Sequence, residues 1–234
     1  MKKKLNQKLI NLIEYYNLIN SNLLISDTPI NRNNDVIASS FSFTGTKLQK
    51  IEKLKKSISF IKNCELKKNA TNLVFSDGNL NANIMIIGEG PGAQEDIAGT
   101  PFIGRAGRLL DKMLNSIQLD RKKVYISNVV NYRPPENRRP TEQEIARYLP
   151  YLTSHIEIIN PKIILLLGST ALNSIIGNDE VISDARGKWN KMKIGSANPW
   201  VIASFHPAFL MRQPQQKKMS WVDLKMIRDK IKIL

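Results

Sequence analysis

Residues 87 to 110 read IGEGPGAQEDIAGTPFIGRAGRLL, and this stretch sets the organisation of the chain. The apolar run Ile84–Ile87 leads into it and reads as a short buried strand ending at Gly88. Gly88, Gly90, Gly92 and Gly99 then crowd a turn in which backbone N–H groups can approach a ligand closely, because no Cβ intervenes. Glu89, Glu95 and Asp96 add carboxylates to this turn, and Phe102 adds a flat apolar surface. Apolar residues at 106, 109, 110, 113, 114 and 117 follow at helical spacing, so the stretch ends in a helix.

Three more strands can be read downstream: Val124–Ser127 before Asn128, Ile163–Leu167 before Gly168 and Ser169, and Trp200–Ser204 before His206-Pro207. Between the second and third, Thr141-x-x-Glu144 is a capping box opening a helix to about Ile159, with a kink expected at Pro150. A helix from Ser169, taken as its N-cap, runs towards Gly177. A last basic helix from about Gln215 carries Trp221, Leu224, Ile227 and Ile231 on one side. Strands alternating with helices predict an α/β fold, a three-layer α/β/α arrangement around a central four-stranded, mostly parallel sheet. In such folds the site lies beyond the carboxyl ends of the strands, where Glu89, Asn128, Ser169 and His206 all fall.

Upstream, Leu5 to Ile19 carries a helical apolar stripe, and residues 20 to 46 are rich in Asn, Ser, Asp and Thr and read as a linker. A second helical segment, Lys47 to Asn63, places Leu48, Ile51, Leu54, Ile58 and Ile61 on one face. The expected division is an N-terminal helical extension with linker over residues 1–56 and an α/β domain over 57–234.

The net charge is +15 over 234 residues. Up to Lys68 the balance is +8, so the excess is spread along the chain and no detachable basic tail carries it. Such a balance points to a polyanionic partner, nucleic acid before membrane. The single cysteine, Cys64, excludes an intramolecular disulfide and fits a reducing compartment. No apolar run is long enough to span a bilayer, and Asn6, Gln7, Asn11 and Glu14 interrupt the basic start where a signal peptide needs an apolar core. A cytoplasmic, nucleoid-associated monomer is the expectation.

The glycine turn invites a dinucleotide reading, but the spacing is G-x-G-x-G with Ala93 following, and no Gly-Lys-Ser/Thr ending is present. A different resemblance is carried by three motifs. GEGPGAQEDIAGTPFIGRAGRLLDKML resembles the first motif of family 4 uracil-DNA glycosylases, VYISNVVNYRPPENRRPTEQE the second, and SFHPAFLMRQP the third. The resemblance covers roughly residues 57 to 234, in order and at sensible spacing.

The resemblance implies a monofunctional glycosylase that flips deoxyuridine out of DNA and hydrolyses its N-glycosidic bond, initiating base-excision repair. Single- or double-stranded uracil-containing DNA would be the partner. The residues can be read in these terms. Phe102 can stack on a pyrimidine. The Asn128 amide oxygen can accept from uracil N3–H while its NH2 donates to O4, a pattern that cytosine fails on both counts. His206 can donate to uracil O2 and stabilise the anionic leaving group, with the N–H groups of Gly88, Gly90 and their neighbours assisting. Gly90 stands where some glycosylase families place an aspartate, which leaves Glu89 to orient water or steady the sugar cation. The resemblance suggests that Glu95 excludes the thymine methyl group; Asp96 is expected to brace the glycine turn. Leu210 or Met211 would fill the gap left by the flipped base, Arg212 would engage a phosphate or the stack, and Arg133, Arg138, Arg139, Lys217 and Lys218 are candidate backbone contacts. His155 receives no role.

Family 4 enzymes carry four cysteines that hold a four-iron, four-sulfur cluster. Here Cys64 is a lone remnant, and Ile61, Tyr132 and Tyr148 stand at the other ligand positions. One thiolate cannot hold a cubane, so no cluster and no other metal or cofactor is expected, with Ile61, Tyr132 and Tyr148 packing together in its place. Two alternatives stay open: a non-catalytic DNA-binding module on the same scaffold, and a glycosylase for another deaminated base.

Overall fold

In a computed structural model the described residues are 41–177 and 180–234; the stripe from Leu5 to Ile19 and most of the linker lie outside them. The apolar runs form parallel strands β2 (Ile84–Gly88), β3 (Tyr125–Asn128), β4 (Ile163–Leu167) and β6 (Trp200–Ser204). Every residue of β2, β3 and β4 is buried, as expected of strands covered on both faces. The sheet is wider than the sequence predicts. Two short antiparallel strands, β1 (Asp77–Gly78) and β5 (Trp189–Lys191), pair with the outer edges of β3 and β6 and make a six-stranded mixed sheet in the order β1-β3-β2-β4-β6-β5. A six-stranded mixed sheet thus stands where the sequence predicts a four-stranded, mostly parallel one, and its four inner strands are parallel.

Chain order reverses beside β2: β3 lies on one side of it and β4 on the other. The parallel register sets Gly88 beside Asn128, and the pairing continues past the strand ends, where the Val129 and Val130 N–H groups donate to Gly88 O (2.9 Å) and Glu89 O (3.2 Å). The two motifs nearest the reversal are thereby held at one rim.

Helix α1 (Lys47–Ser59) is closed at its start by a capping box between Thr46 and Gln49. It buries Ile51, Leu54 and Ile58, and Ile61 just beyond its end is also buried. Leu48, expected on the same face, is exposed. Burial of each such aliphatic side chain contributes roughly 1.5–3 kcal/mol. Residues 47–56, assigned to the extension on sequence, thus contribute Ile51 and Leu54 to the core of the described residues. After α2 (Glu65–Asn69) and β2 comes α3 (Ala93–Ala98), which opens directly at Gly92 as N-cap; the sequence predicts no helix there. Helix α4 (Arg105–Asn115) buries Leu110, Met113 and Leu114 as the spacing predicts.

Helix α5 (Glu142–Ile159) begins with the predicted Thr141–Glu144 capping box and carries Pro150 inside a single helix. Its His155 is fully buried, stacked on Phe75 and within 2.7 Å of the Tyr125 hydroxyl, a structural position. Helix α6 (Ser169–Ile175) has Gly168, not Ser169, as its N-cap. After α7 (Ile182–Ala185) and β6 come the short α8 (Pro207–Arg212) and the final α9 (Lys217–Ile231). Leu224 and Ile227 of α9 are buried, whereas Trp221 faces outwards at 40% exposure, against the expected shared side. Buried Asp223 of α9 ties this helix to the sheet: Arg186 and the Ser204 hydroxyl (2.6 Å) both donate to it. Among the described residues no helix is long and apolar enough to cross a membrane.

Candidate active site

The strand ends converge on a cavity of about 230 Å³ lined by Glu89, Gly90, Glu95, Phe102, Asn128 and His206, with Pro134, Asn137 and Arg138 on one flank. Residues from all three motifs therefore meet in one pocket. Asn128 is 3% exposed, and its side-chain Oδ1 is a buried acceptor with no hydrogen-bond partner among the described residues. Buried polar atoms are nearly always paired, so an unpartnered acceptor on a residue that lines a cavity is a place for a ligand's donor. Gly88 makes the close approach possible. A Cβ at that position would stand 2.4 Å from Phe102 Cζ and 2.5 Å from Asn128 Oδ1.

Phe102 is held in an unusual way. Its φ of 55° lies in the left-handed region, which is costly for a bulky side chain. Arg121 compensates: it donates to the carbonyls of Phe102 and Pro101 while pairing with Asp77 (2.7 Å) and Asp111 (2.8 Å). Gly107 completes the clamp, since a Cβ there would meet the Phe102 carbonyl oxygen at 1.6 Å. The glycine of the AG-x-LLD motif is thus required by backbone contact. Sequence reasoning missed Arg121, which stands outside all three motifs, and Asn137, whose φ of 56° bends the second motif around the pocket.

The His206 ring lies 5.7 Å from that of Phe102. The Ala208 N–H donates to its Nδ1 at 3.2 Å, which leaves the neutral ring's proton on Nε2. Burial, and then the charge of Arg212, lower the His206 pKa to about 4, with the charge of Glu95 opposing both. His206 is therefore a neutral N–H donor at pH 7. His155 is pushed down to about 3 by burial alone. Both folded-state values lie below the unfolded value near 6.5, so the unfolded chain binds more protons as the solution is acidified. Stability from these groups is complete above about pH 6.5 and is lost towards pH 3–4, at up to roughly 1.4 kcal/mol per pH unit per histidine. Denaturant midpoints measured from pH 7 to 4 should fall less steeply for His206→Asn than for the wild type; parallel curves would contradict this titration.

Glu95 Oε1 accepts from the Gly104 N–H (2.8 Å), so this residue both lines the pocket and fastens the start of α4. Asp96 does not brace the glycine turn as expected. Its carboxylate accepts from the N–H groups of Thr71 (2.9 Å) and Asn72 (3.0 Å), tying α3 to the segment before β1. Glu89 accepts a hydrogen bond from the Thr170 hydroxyl.

The candidate DNA contacts fare unequally. Leu210 is 1% exposed and belongs to the core beside α4 and α9, so it cannot fill a gap in DNA without leaving that core. Met211 is half-buried and Arg212 exposed at the end of α8. Arg138 forms a forked pair with Glu144 (2.6 and 2.8 Å) and sits at the pocket mouth. The Arg133 Nε donates to Asn137 Oδ1 (2.9 Å), which ties it to the pocket flank. Arg139, Lys217 and Lys218 are exposed.

The positions of the implied cluster gather in one place. Ile61, Cys64, Tyr132 and Tyr148 are all buried in the same core, with Cys64 Sγ 3.4 Å from the Tyr148 hydroxyl. Burial, and then the bond to Cys64, raise the Tyr148 pKa and keep its phenol protonated. One thiol, two phenols and an alkyl chain are not a donor set for a four-iron, four-sulfur cluster.

The family model for the uracil DNA glycosylase superfamily matches residues 75–229. A type-4 uracil-DNA glycosylase of Thermotoga maritima is 45% identical over 153 residues, 64% of this chain and 77% of that protein. One of Sulfurisphaera tokodaii is 40% identical over 187 residues, covering 78% and 85%. One of Archaeoglobus fulgidus is 38% identical over 184 residues, covering 77% and 92%. With the motifs gathered around one strand-end pocket and relatives matched over most of their length, the chain belongs to the uracil-DNA glycosylase superfamily, alongside its type-4 members.

Proposed function

We propose that the pocket receives a uracil flipped out of DNA and that this chain releases it as free base, leaving an abasic site. The enzyme is a hydrolytic DNA N-glycosylase acting in base-excision repair. The observation that carries the uracil reading is the orphan Asn128 Oδ1, a buried acceptor set where uracil N3–H can donate and where cytosine offers no donor. Phe102 stacks on the base, with Gly88 leaving room for both contacts. As the C1′–N1 bond breaks, its electron pair leaves with uracil, and the Nε2–H of His206 stabilises the charge on O2. Glu89 orients the water whose oxygen bonds to C1′ and takes up the proton that the water gives up. Glu95 closes the C5 side against thymine.

On the DNA side, Met211 and Arg212 take the role that Leu210 cannot fill, and Arg139, Lys217 and Lys218 contact phosphates. The protein acts as a monomer on cytoplasmic, nucleoid-associated DNA, and its catalytic unit includes the helix from Lys47 to Ser59. A single-uracil oligonucleotide incubated with the protein and then treated with alkali tests the reading; no strand scission at stoichiometric enzyme would defeat it. The same oligonucleotide, single-stranded or annealed, reads out strand preference.

The buried Cys64, Tyr132, Tyr148 and Ile61 support operation without a cluster. Protein purified without oxygen should contain far less than one iron per chain and no acid-labile sulfide, while releasing uracil. Stoichiometric iron and sulfide would overturn this part of the proposal and leave the rest intact.

A further inference from the structure

Glu89 does not stand alone in the pocket. The hydroxyl of Thr170 donates to its Oε2, joining residues 81 positions apart in sequence. Thr170 is 8% exposed and lies at the second position of α6, directly after the end of β4. That strand is between β2, whose end leads into Glu89, and β6, whose end leads through Phe205 into His206. The β4 end is packed closely into this rim. Gly168 has a φ of 89°, and a Cβ there would stand 3.0 Å from His206 Cβ. The first turn of α6 thus reaches both sides of the site.

Other hydroxyls in these helices behave differently. Thr153 donates to Leu149 O (2.9 Å) and Ser174 to Thr170 O (2.7 Å), each to the carbonyl four residues earlier. Such bonds satisfy a buried hydroxyl and nothing more. At the second residue of its helix Thr170 has no helical carbonyl four residues behind it, and its hydroxyl crosses to the carboxylate of another element. Glu89 Oε1 has no hydrogen-bond donor among the described residues, so one oxygen is held and the other is left for a ligand or water.

We infer that Thr170 is a positioning residue for Glu89: its hydroxyl fixes the carboxylate rotamer so that the second oxygen can orient the attacking water. This rests on the uracil-release reading and on the water-orienting role of Glu89. In the step concerned, the water oxygen forms its bond to C1′ as the C1′–N1 pair departs with uracil, and Glu89 accepts the proton that the water loses. A carboxylate free to rotate would sample that geometry only part of the time, so the loss falls on turnover and spares substrate binding.

The test is a double-mutant cycle read by single-turnover uracil release and by KM, with Thr170→Val, Glu89→Gln, the double variant and Thr170→Ser. Valine keeps the shape of threonine and removes the donor. The expected result is a roughly tenfold or larger fall in kcat for Thr170→Val with KM within about twofold. Thr170→Ser should restore most of the rate. In the Glu89→Gln background, Thr170→Val should cost little more. A wild-type rate for Thr170→Val, or the same fold-loss in both backgrounds, would overturn the inference while leaving uracil release standing. A loss shared by Thr170→Ser together with a lowered melting temperature would overturn it in favour of packing. Failure of the wild type itself to release uracil would remove the underlying reading, and this inference with it.

Discussion

Replacing His206 by alanine is expected to slow uracil release by about 10²–10³-fold in kcat, equivalent to ~2.7–4 kcal/mol of transition-state stabilisation. Affinity for DNA carrying an uncleavable deoxyuridine should stay within a few-fold of wild type. The charge that His206 meets develops only as the glycosidic bond breaks, so its hydrogen bond belongs mainly to the transition state, and such losses appear in kcat. The geometry makes this donor well prepared. The Ala208 N–H fills Nδ1 and leaves Nε2–H for the pocket. Burial holds the ring neutral to about pH 4, so no proton need be shed as the pH rises through 6 to 8. The wild-type rate should accordingly show no break near pH 6.5 arising from this residue. Stopped-time release assays on both proteins across pH 5–9 give the check. A His206→Ala enzyme within threefold of wild type would remove His206 from the chemistry.

The central sheet was legible in the sequence because four apolar runs, each followed by a glycine or polar residue, mark strands buried on both faces. The edge strands were not. Asp77–Gly78 and Trp189–Lys191 are two and three residues long and partly exposed, so pairing with β3 and β6 defines them and no side-chain pattern does. Glycines could be counted but not assigned. Only the structure separates Gly107, needed by the Phe102 carbonyl, from Gly88, needed by the Phe102 ring and Asn128. Leu210 shows the opposite difficulty. In PAFLMR an apolar residue before an arginine reads equally well as a wedge for DNA or as core, and its packing beside α4 and α9 decides for core. Arg121 and Thr170 carried no signal at all. Each acts on a residue far away in sequence, through a carbonyl in one case and a carboxylate in the other.

Removing the amide of Asn128 should have the other large effect. Asn128→Ala is expected to lower kcat/KM for uracil by about 10²–10³-fold and to blunt the discrimination between uracil and cytosine. Asn128 sits at the carboxyl end of β3, in register with Gly88, where the backbone of the sheet fixes its Cα. Its Oδ1 is already desolvated and unpartnered, so the cost of taking it out of water has been met in folding. A base that donates to it recovers a hydrogen bond at no further desolvation cost on the protein side. A base presenting an unprotonated N3 leaves two acceptors facing each other in a buried site, and buried mismatches of that kind give discrimination far larger than a missing methylene does. Alanine abolishes both the reward and the mismatch, so uracil loses much and cytosine loses little. Asn128→Asp sharpens the test, because it keeps an acceptor opposite N3–H yet sets a carboxylate oxygen against O4 where the NH2 donated. It should therefore release uracil no faster than Asn128→Ala does. Parallel release assays on single-uracil and single-cytosine oligonucleotides measure all three enzymes, with melting temperatures to separate folding from recognition. Near wild-type uracil release by a folded Asn128→Ala would show that base choice is made elsewhere in the pocket.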